Sequence, residues 1–142
     1  MRKDLEQKFQ ERWPTWFNLG GSPQQTSMAW GFAHGDGWFD LMWRLRERIE
    51  PIVLAGDADT RERQAPLDTT KHPPFWVYQV KEKFGGLRFY TNSHSRVIFD
   101  LIQQAEGQSF HICDVCGLPG TLRKDGPWRT RCDEHIDTHQ RH

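Results

Sequence analysis

All three cysteines of the chain fall in one short C-terminal stretch, and their spacing constrains how that stretch can fold more than any other feature of the sequence. It reads Cys113-Asp114-Val115-Cys116-Gly117 and, further on, Trp128-Arg129-Thr130-Arg131-Cys132-Asp133-Glu134-His135. Two residues separate the members of each ligand pair, so a tight turn can aim both donors at one ion. Gly117 lets the backbone amides bend toward the thiolates. Fifteen residues lie between the pairs, at the short edge of the zinc-ribbon interval. Three cysteines cannot all pair within the chain, and their spacing suits a metal better than a disulfide. The expected ligands are Cys113, Cys116, Cys132 and His135, a soft, closed set that selects one structural zinc ion. His139 is the alternative fourth ligand. A Cys2His2 finger on Cys113, Cys116, His135 and His139 would leave Cys132 idle and needs a shorter span. Four protein ligands leave no open position for a substrate, so the ion is expected to hold the fold.

Upstream of the metal segment, residues 1–107 read as an α+β core on which residues 108–142 pack. Hydrophobic residues are only 36% of the chain, so its seven Trp and nine Phe must supply much of the interior. A first helix is expected over residues 3–12, with Leu5, Phe9 and Trp13 on one face and Pro14 as its stop. Residues 18–27 read as a loop, and residues 28–32 as a short strand. A second helix has Asp36 as its cap, Trp38, Leu41, Met42, Leu45 and Ile49 as its buried stripe, and Pro51 as its end. Residues 56–74 have no aromatics and many Asp, Thr, Arg and Pro, which suggests a long loop or mobile insertion.

Residues 75–91 carry a hairpin pattern, with Trp76, Tyr78 and Val80 on one face, Gln79, Lys81 and Lys83 on the other, and Gly85-Gly86 as the turn. A third helix is expected over residues 95–107, capped by Ser95 and stopped by Gly107, burying Val97 or Ile98 with Leu101, Ile102 and Ala105. The expected fold is α+β, with about three helices around a small antiparallel sheet and a C-terminal Cys3His zinc knuckle.

Nineteen Lys and Arg balance nineteen Asp and Glu, which argues against attachment to nucleic acid or an anionic membrane by bulk charge. A local basic groove stays open, either at Lys81, Lys83 and Arg88 beside Phe89 and Tyr90, or at Arg123, Lys124, Arg129 and Arg131 around the metal. Glu82 interrupts the first, and Asp114, Asp125, Asp133 and Glu134 dilute the second. No apolar run is long enough to span a membrane and the first ten residues are charged, so a cytoplasmic protein without a membrane partner is expected. The motifs HExxH, GxSxG, GxxxxGK[ST] and GxGxxG are missing, as is the zinc-deaminase pattern. His34, Asp36 and Asp40 crowd acid and base together, which leaves a small hydrolase on His34 and Asp36 as a remote reading beside capping and helix-end complementarity. Trp30 and Trp38 either line a groove there or fill the core.

Three blocks give the chain a likeness to known sequences: Trp30-Gly31-Phe32 with Gly35-Asp36-Gly37-Trp38-Phe39-Asp40-Leu41, then Gln79-Val80-Lys81-Glu82-Lys83-Phe84-Gly85-Gly86-Leu87-Arg88-Phe89-Tyr90, and Cys113-x2-Cys116-Gly117 with Trp128-x-Thr130-x-Cys132-x2-His135. In these it resembles a family of small, mostly uncharacterised proteins encoded by bacteriophages and prophages. The resemblance implies a phage accessory protein at work in the host bacterial cytoplasm, and it implies no reaction. By analogy with other small phage proteins, such a chain works by occupying a host protein or protein complex, including defence assemblies of the CRISPR type. The expected function is therefore a non-enzymatic, zinc-stabilised binder that inhibits or redirects a host macromolecule. Its expected partner surface is Lys81, Lys83 and Arg88 on the hairpin, with Arg61 and Arg63 in the long loop. A nucleic-acid-binding zinc module is the alternative.

Overall fold

The computed structural model describes residues 1–16, 35–60 and 74–136. Among them, the chain forms α1 (Lys3–Arg12), α2 (Phe39–Leu54), β1 (Val77–Lys83), β2 (Gly86–Thr91), α3 (Arg96–Ser109), β3 (Thr121–Arg123) and β4 (Arg129–Arg131). Strands β1 and β2 make one antiparallel pair, and β3 and β4 make another within the metal segment. The class is α+β, as the hydrophobic patterning indicates. The expected loop over 18–27 and strand over 28–32 lie outside the described residues.

Aromatic side chains on α1 and α2 make the first part of the core. Phe9 is fully buried, with its ring 4.9 Å from Phe39 and 5.6 Å from Trp43. Pro14 ends α1, but the chain winds on as a 3-10 turn (Pro14–Trp16) that sets Trp16 edge-on to Phe75 at 4.7 Å. Arg46 sits fully buried among these rings, its guanidinium 4.8 Å from the centre of Phe9 and 5.2 Å from that of Phe89. Loss of water pulls its pKa well below the ordinary guanidinium value, to about 9, while the ring faces supply part of what solvation no longer does.

Both expected ends of the second helix are corrected. Asp36 does not cap it: the carboxylate instead accepts the Arg2 backbone N–H at 2.8 Å and lies 3.2 Å from the Arg2 Nε, which anchors the chain start to a 3-10 turn (Asp36–Trp38). Pro51 does not end it, because Ile52 and Val53 pack against the core and hold one further turn in helical form. That turn closes through Gly56 N–H to Val53 O and Asp57 N–H to Ile52 O, both 3.0 Å, which satisfies carbonyls the helix end leaves free. The following residues are also less loop-like than their composition suggests. Ala58 and Thr60 are buried, Thr60 bridges to Ser93, and the His94 N–H reaches Asp59 O at 2.8 Å. The rest of the expected loop, 61–73, lies outside the described residues.

The hairpin is present with a different turn and a different buried face. Lys83 opposes Gly86, so the two turn residues are Phe84 and Gly85, with φ of 54° and 86°. Two positive φ values make a type I′ turn, which usually takes Asn-Gly, and a Phe in this region costs about 1 kcal/mol. A register shift between Val77 and Gln79 then reverses the alternation. Val77 and Val80 are both buried, while Trp76 and Tyr78, expected inward with Val80, meet edge-on at 5.9 Å in half-buried positions.

Helix α3 closes the far edge of this pair. Ser95 caps it, accepting the Ile98 N–H at 3.3 Å, and Ile98 rather than the 58% exposed Val97 joins the core. Gly107 does not stop it: the helix runs on to Ser109, whose buried hydroxyl accepts the Leu87 N–H at 2.8 Å, while Glu106 accepts the Phe89 N–H at 3.0 Å. Both bonds satisfy amides that β1 cannot reach, and the one from Ser109 rewards the helix for running past Gly107.

Candidate metal centre

Just past α3, the segment turns sharply at Cys113, where the Gly117 N–H returns to Cys113 O at 2.9 Å and the Cys113 N–H to Leu118 O at 2.8 Å. Gly117, at φ 80°, takes the left-handed conformation this turn requires. Strands β3 and β4 then fold back, and the Asp114 N–H to Thr130 O bond of 3.0 Å brings the second ligand pair beside the first. The Arg131 side chain braces both halves, with its Nε 2.5 Å from Asp114 Oδ1 and its Nη1 donating to His135 O at 3.2 Å. Asp114 and Arg131 are both buried, so this pair works at low dielectric with its charges matched.

The ligand atoms of Cys113, Cys116, Cys132 and His135 all lie within 4.8 Å of one another. Cys116 Sγ is 3.7 Å from Cys132 Sγ, while His135 Nδ1 is 3.8 Å from Cys113 Sγ and 3.1 Å from Cys132 Sγ. A tetrahedral zinc site has edges of about 3.8 Å between sulfurs and about 3.5 Å between sulfur and nitrogen, given the usual bond lengths. The donor set and its spacing therefore fit one metal ion. Burial tends to raise the Cys113 thiol, but backbone N–H donors at Cys132, Cys116 and Val115 outweigh it and hold the thiol below its ordinary value. Cys116 is pushed the other way, up to about 11, by partial desolvation and by the neighbouring thiols of Cys113 and Cys132. Converging thiols resist losing their protons together unless a cation takes the protons' place.

The centre is seated on the start of α2. The Gly37 N–H donates to Asp114 O at 2.9 Å, and the Trp38 indole donates to Ile112 O at 2.9 Å. A Cβ on Gly37 would collide with Cys113 O and stand only 2.7 Å from Asp114 C and Gly117 N, and one on Gly35 would collide with Asp114 O. These two positions require glycine because the backbone of the knuckle lies against them. On its other side the knuckle grips the hairpin turn, where the Thr130 hydroxyl donates to Gly85 O at 2.6 Å and Arg129 Nη1 lies 3.4 Å from Glu82 Oε1. A side chain at Gly85 would meet Leu122 and the backbone N of Arg129.

The structure treats the remaining candidates unevenly. Lys81 and Lys83 face outward over the rings of Tyr90 and Phe84, each 5.7 Å from the centroid. Arg88 is less available than expected: it is half-buried and turned toward Glu106, 3.7 Å away. Arg61, Arg63, His34, Trp30 and His139 lie outside the described residues. Asp36, the other half of the hydrolase reading, is committed to Arg2, while Trp38 belongs to the core. The expected basic patch around the metal is dispersed, since Arg131 is buried on Asp114, Arg129 faces Glu82 and Arg123 reaches Asp133 at 2.8 Å.

Sequence reasoning missed the Asp114–Arg131 pair. Its one local signal is placement, since the two residues directly follow and precede a ligand cysteine. Among the described residues, no helix is long and apolar enough to cross a membrane. Comparison with protein-family models, curated proteins and solved structures finds no match, so the case for this site rests on its geometry.

Proposed function

We propose that the chain is a non-enzymatic binding protein, stabilised by one structural zinc ion on Cys113, Cys116, Cys132 and His135, that acts as a phage accessory factor by occupying a host macromolecule in the bacterial cytoplasm. The observation that carries the zinc reading is the closed Cys3His quartet within 4.8 Å. Four protein donors complete a tetrahedral shell, which suits a structural ion rather than one that must admit substrate. Zinc is favoured over harder divalent ions by three sulfur donors.

What supports binding as the activity is the likeness of the hairpin and metal motifs to small phage proteins, together with outward-facing Lys81 and Lys83 on a rigidly held hairpin. A host protein complex, such as a defence assembly of the CRISPR type, is the partner that likeness suggests. The test is affinity capture of the tagged protein from bacterial lysate with and without nuclease. A defined protein complex that survives nuclease treatment is the expected result, and it should weaken when Lys83 is reversed to Glu. Capture of nothing by zinc-loaded protein under either condition would sink the reading. Metal analysis should give one zinc per chain, and Cys116→Ser or Cys132→Ser should lose it with much of the folded signal.

A further inference from the structure

The hairpin turn and the loop between β3 and β4 meet in a surface that the metal centre does not use. Phe84 is 62% exposed and Trp128 is 41% exposed, with ring centroids 6.1 Å apart at 67°. With Glu82, Lys83, Gly126, Pro127 and Arg129 they line a shallow groove of about 660 Å³. Lys83 Nζ lies 5.7 Å from the centre of Phe84, and Lys124 Nζ lies 4.7 Å from that of Trp128. Neither lysine enters an ion pair that the described residues show.

Three observations set this patch apart from incidental exposure. Phe99 and Tyr90 are also exposed, but Phe84 is the most exposed large hydrophobic ring among the described residues and stands edge-on to a second exposed ring, Trp128. Phe84 also holds a left-handed backbone conformation where Asn or Gly is favoured, and its exposed ring is not repaid by burial. Finally, the polar groups beneath the rings are engaged with one another: Glu82 with Arg129 and the Gly85 N–H, and Thr130 with Gly85 O. The groups this leaves outward include two π faces and two ammonium groups, with the exposed carboxylate of Asp125 next to Lys124.

We propose that this patch binds single-stranded nucleic acid, with bases stacking on Phe84 and Trp128 and adjacent phosphates held by Lys83 and Lys124. The alternation of ring and cation matches the alternation of base and phosphate along a single strand. Glu82, Gly85 and Thr130, which could otherwise pair with a peptide backbone, are already bonded within the protein, whereas exposed ring faces and ammonium groups are what bases and phosphates take. A footprint of two lysines also agrees with a chain of zero net charge, because the site depends on stacking more than on bulk attraction. The inference rests on the reading of the chain as a binding protein, and it names one partner class for one face.

The test titrates zinc-loaded, full-length protein into a labelled oligothymidylate of about twelve nucleotides and follows fluorescence anisotropy at several salt concentrations. Phe84→Ala and Trp128→Ala should each weaken binding by about 5- to 100-fold, the range that loss of one stacked base implies. Lys83→Gln and Lys124→Gln should each make the logarithmic salt slope shallower by about 0.7, the value for one single-strand phosphate. Lys3→Gln, on the exposed face of α1, should change neither quantity. Zinc content of every variant reports that the fold is intact. No binding at low salt, equal binding to a duplex, or unchanged affinity in both ring variants would each overturn the proposal, as would a peptide partner that needs Trp128 when the oligonucleotide does not bind. If the oligonucleotide fails while lysate capture yields a nuclease-resistant protein, only this inference falls; failure of both removes the binding reading as well.

Discussion

Gly37 shows how much a single residue can carry when two segments meet backbone to backbone. Its N–H is bonded to Asp114 O, and the place of its missing side chain is filled by the knuckle. Gly37→Ala should therefore destabilise the protein by about 3 kcal/mol or more, since the obstruction is main chain and cannot swing aside. A denaturant midpoint read together with metal affinity checks this, and both should fall. Asp114→Asn should cost about 3 kcal/mol by leaving the buried Arg131 guanidinium without its counter-charge, measured in the same way. At this scale the sequence was legible where the chemistry is local. The ligand quartet follows from two-residue intervals that any cysteine pair needs to share an ion. The Asp114–Arg131 contact depends instead on the pairing of Asp114 with the Thr130 carbonyl, a register that exists only once β3 and β4 have folded. The demand for glycine at position 37 likewise comes from residues about eighty positions away, which no local pattern reports.

Between elements, the clearest electrostatic tie joins α1 to α2. Glu50 accepts hydrogen bonds from Arg12 Nη1 and Nη2 at 2.6 and 2.7 Å and from the Trp13 indole at 2.8 Å. The Arg12 bonds, with help from Trp13, hold its carboxyl below the ordinary 4.5. As pH falls the unfolded chain therefore takes up this proton before the native one does. The tie's stabilisation is present above about pH 4.5 and is lost as pH drops through the lower native value. Glu50→Gln is expected to flatten the acid limb of the stability profile, which urea titrations at stepped pH between about 5 and 2 would register. The existence and type of the helices and the hairpin were readable from period and punctuation, and α1 was readable to its ends. The buried face of β1 was not. Phe75 and Val77 are as apolar as Trp76 and Tyr78, so alternation alone offers two phases, and the register shift after Val77 is invisible in composition. Pro51 and Gly107 misled for a related reason. Packing of Ile52 and Val53 in one helix, and hydrogen bonding by Ser109 in the other, outweighed local helix-breaking tendencies.

Across the whole molecule, the metal segment touches both the start of α2 and the tip of the hairpin, so it braces two parts of the core. Removal of the ion by a chelator is therefore expected to lower the melting temperature of the entire domain in one transition. Hydrogen exchange should show protection falling at Leu87 and Phe89 as well as around the cysteines. Selective loss confined to residues past Ser109 would contradict that coupling.

The hydrogen bonds from α3 to β2 have a further consequence, in how copies of the protein meet. A two-stranded ribbon presents unpaired amides that can recruit a strand from a neighbour and begin a polymer. Here the amides of Leu87 and Phe89 are occupied by Ser109 and Glu106 from the same chain. Helix α3 thus acts as a terminator for the sheet on that side, and the hairpin can be displayed without inviting growth along β2.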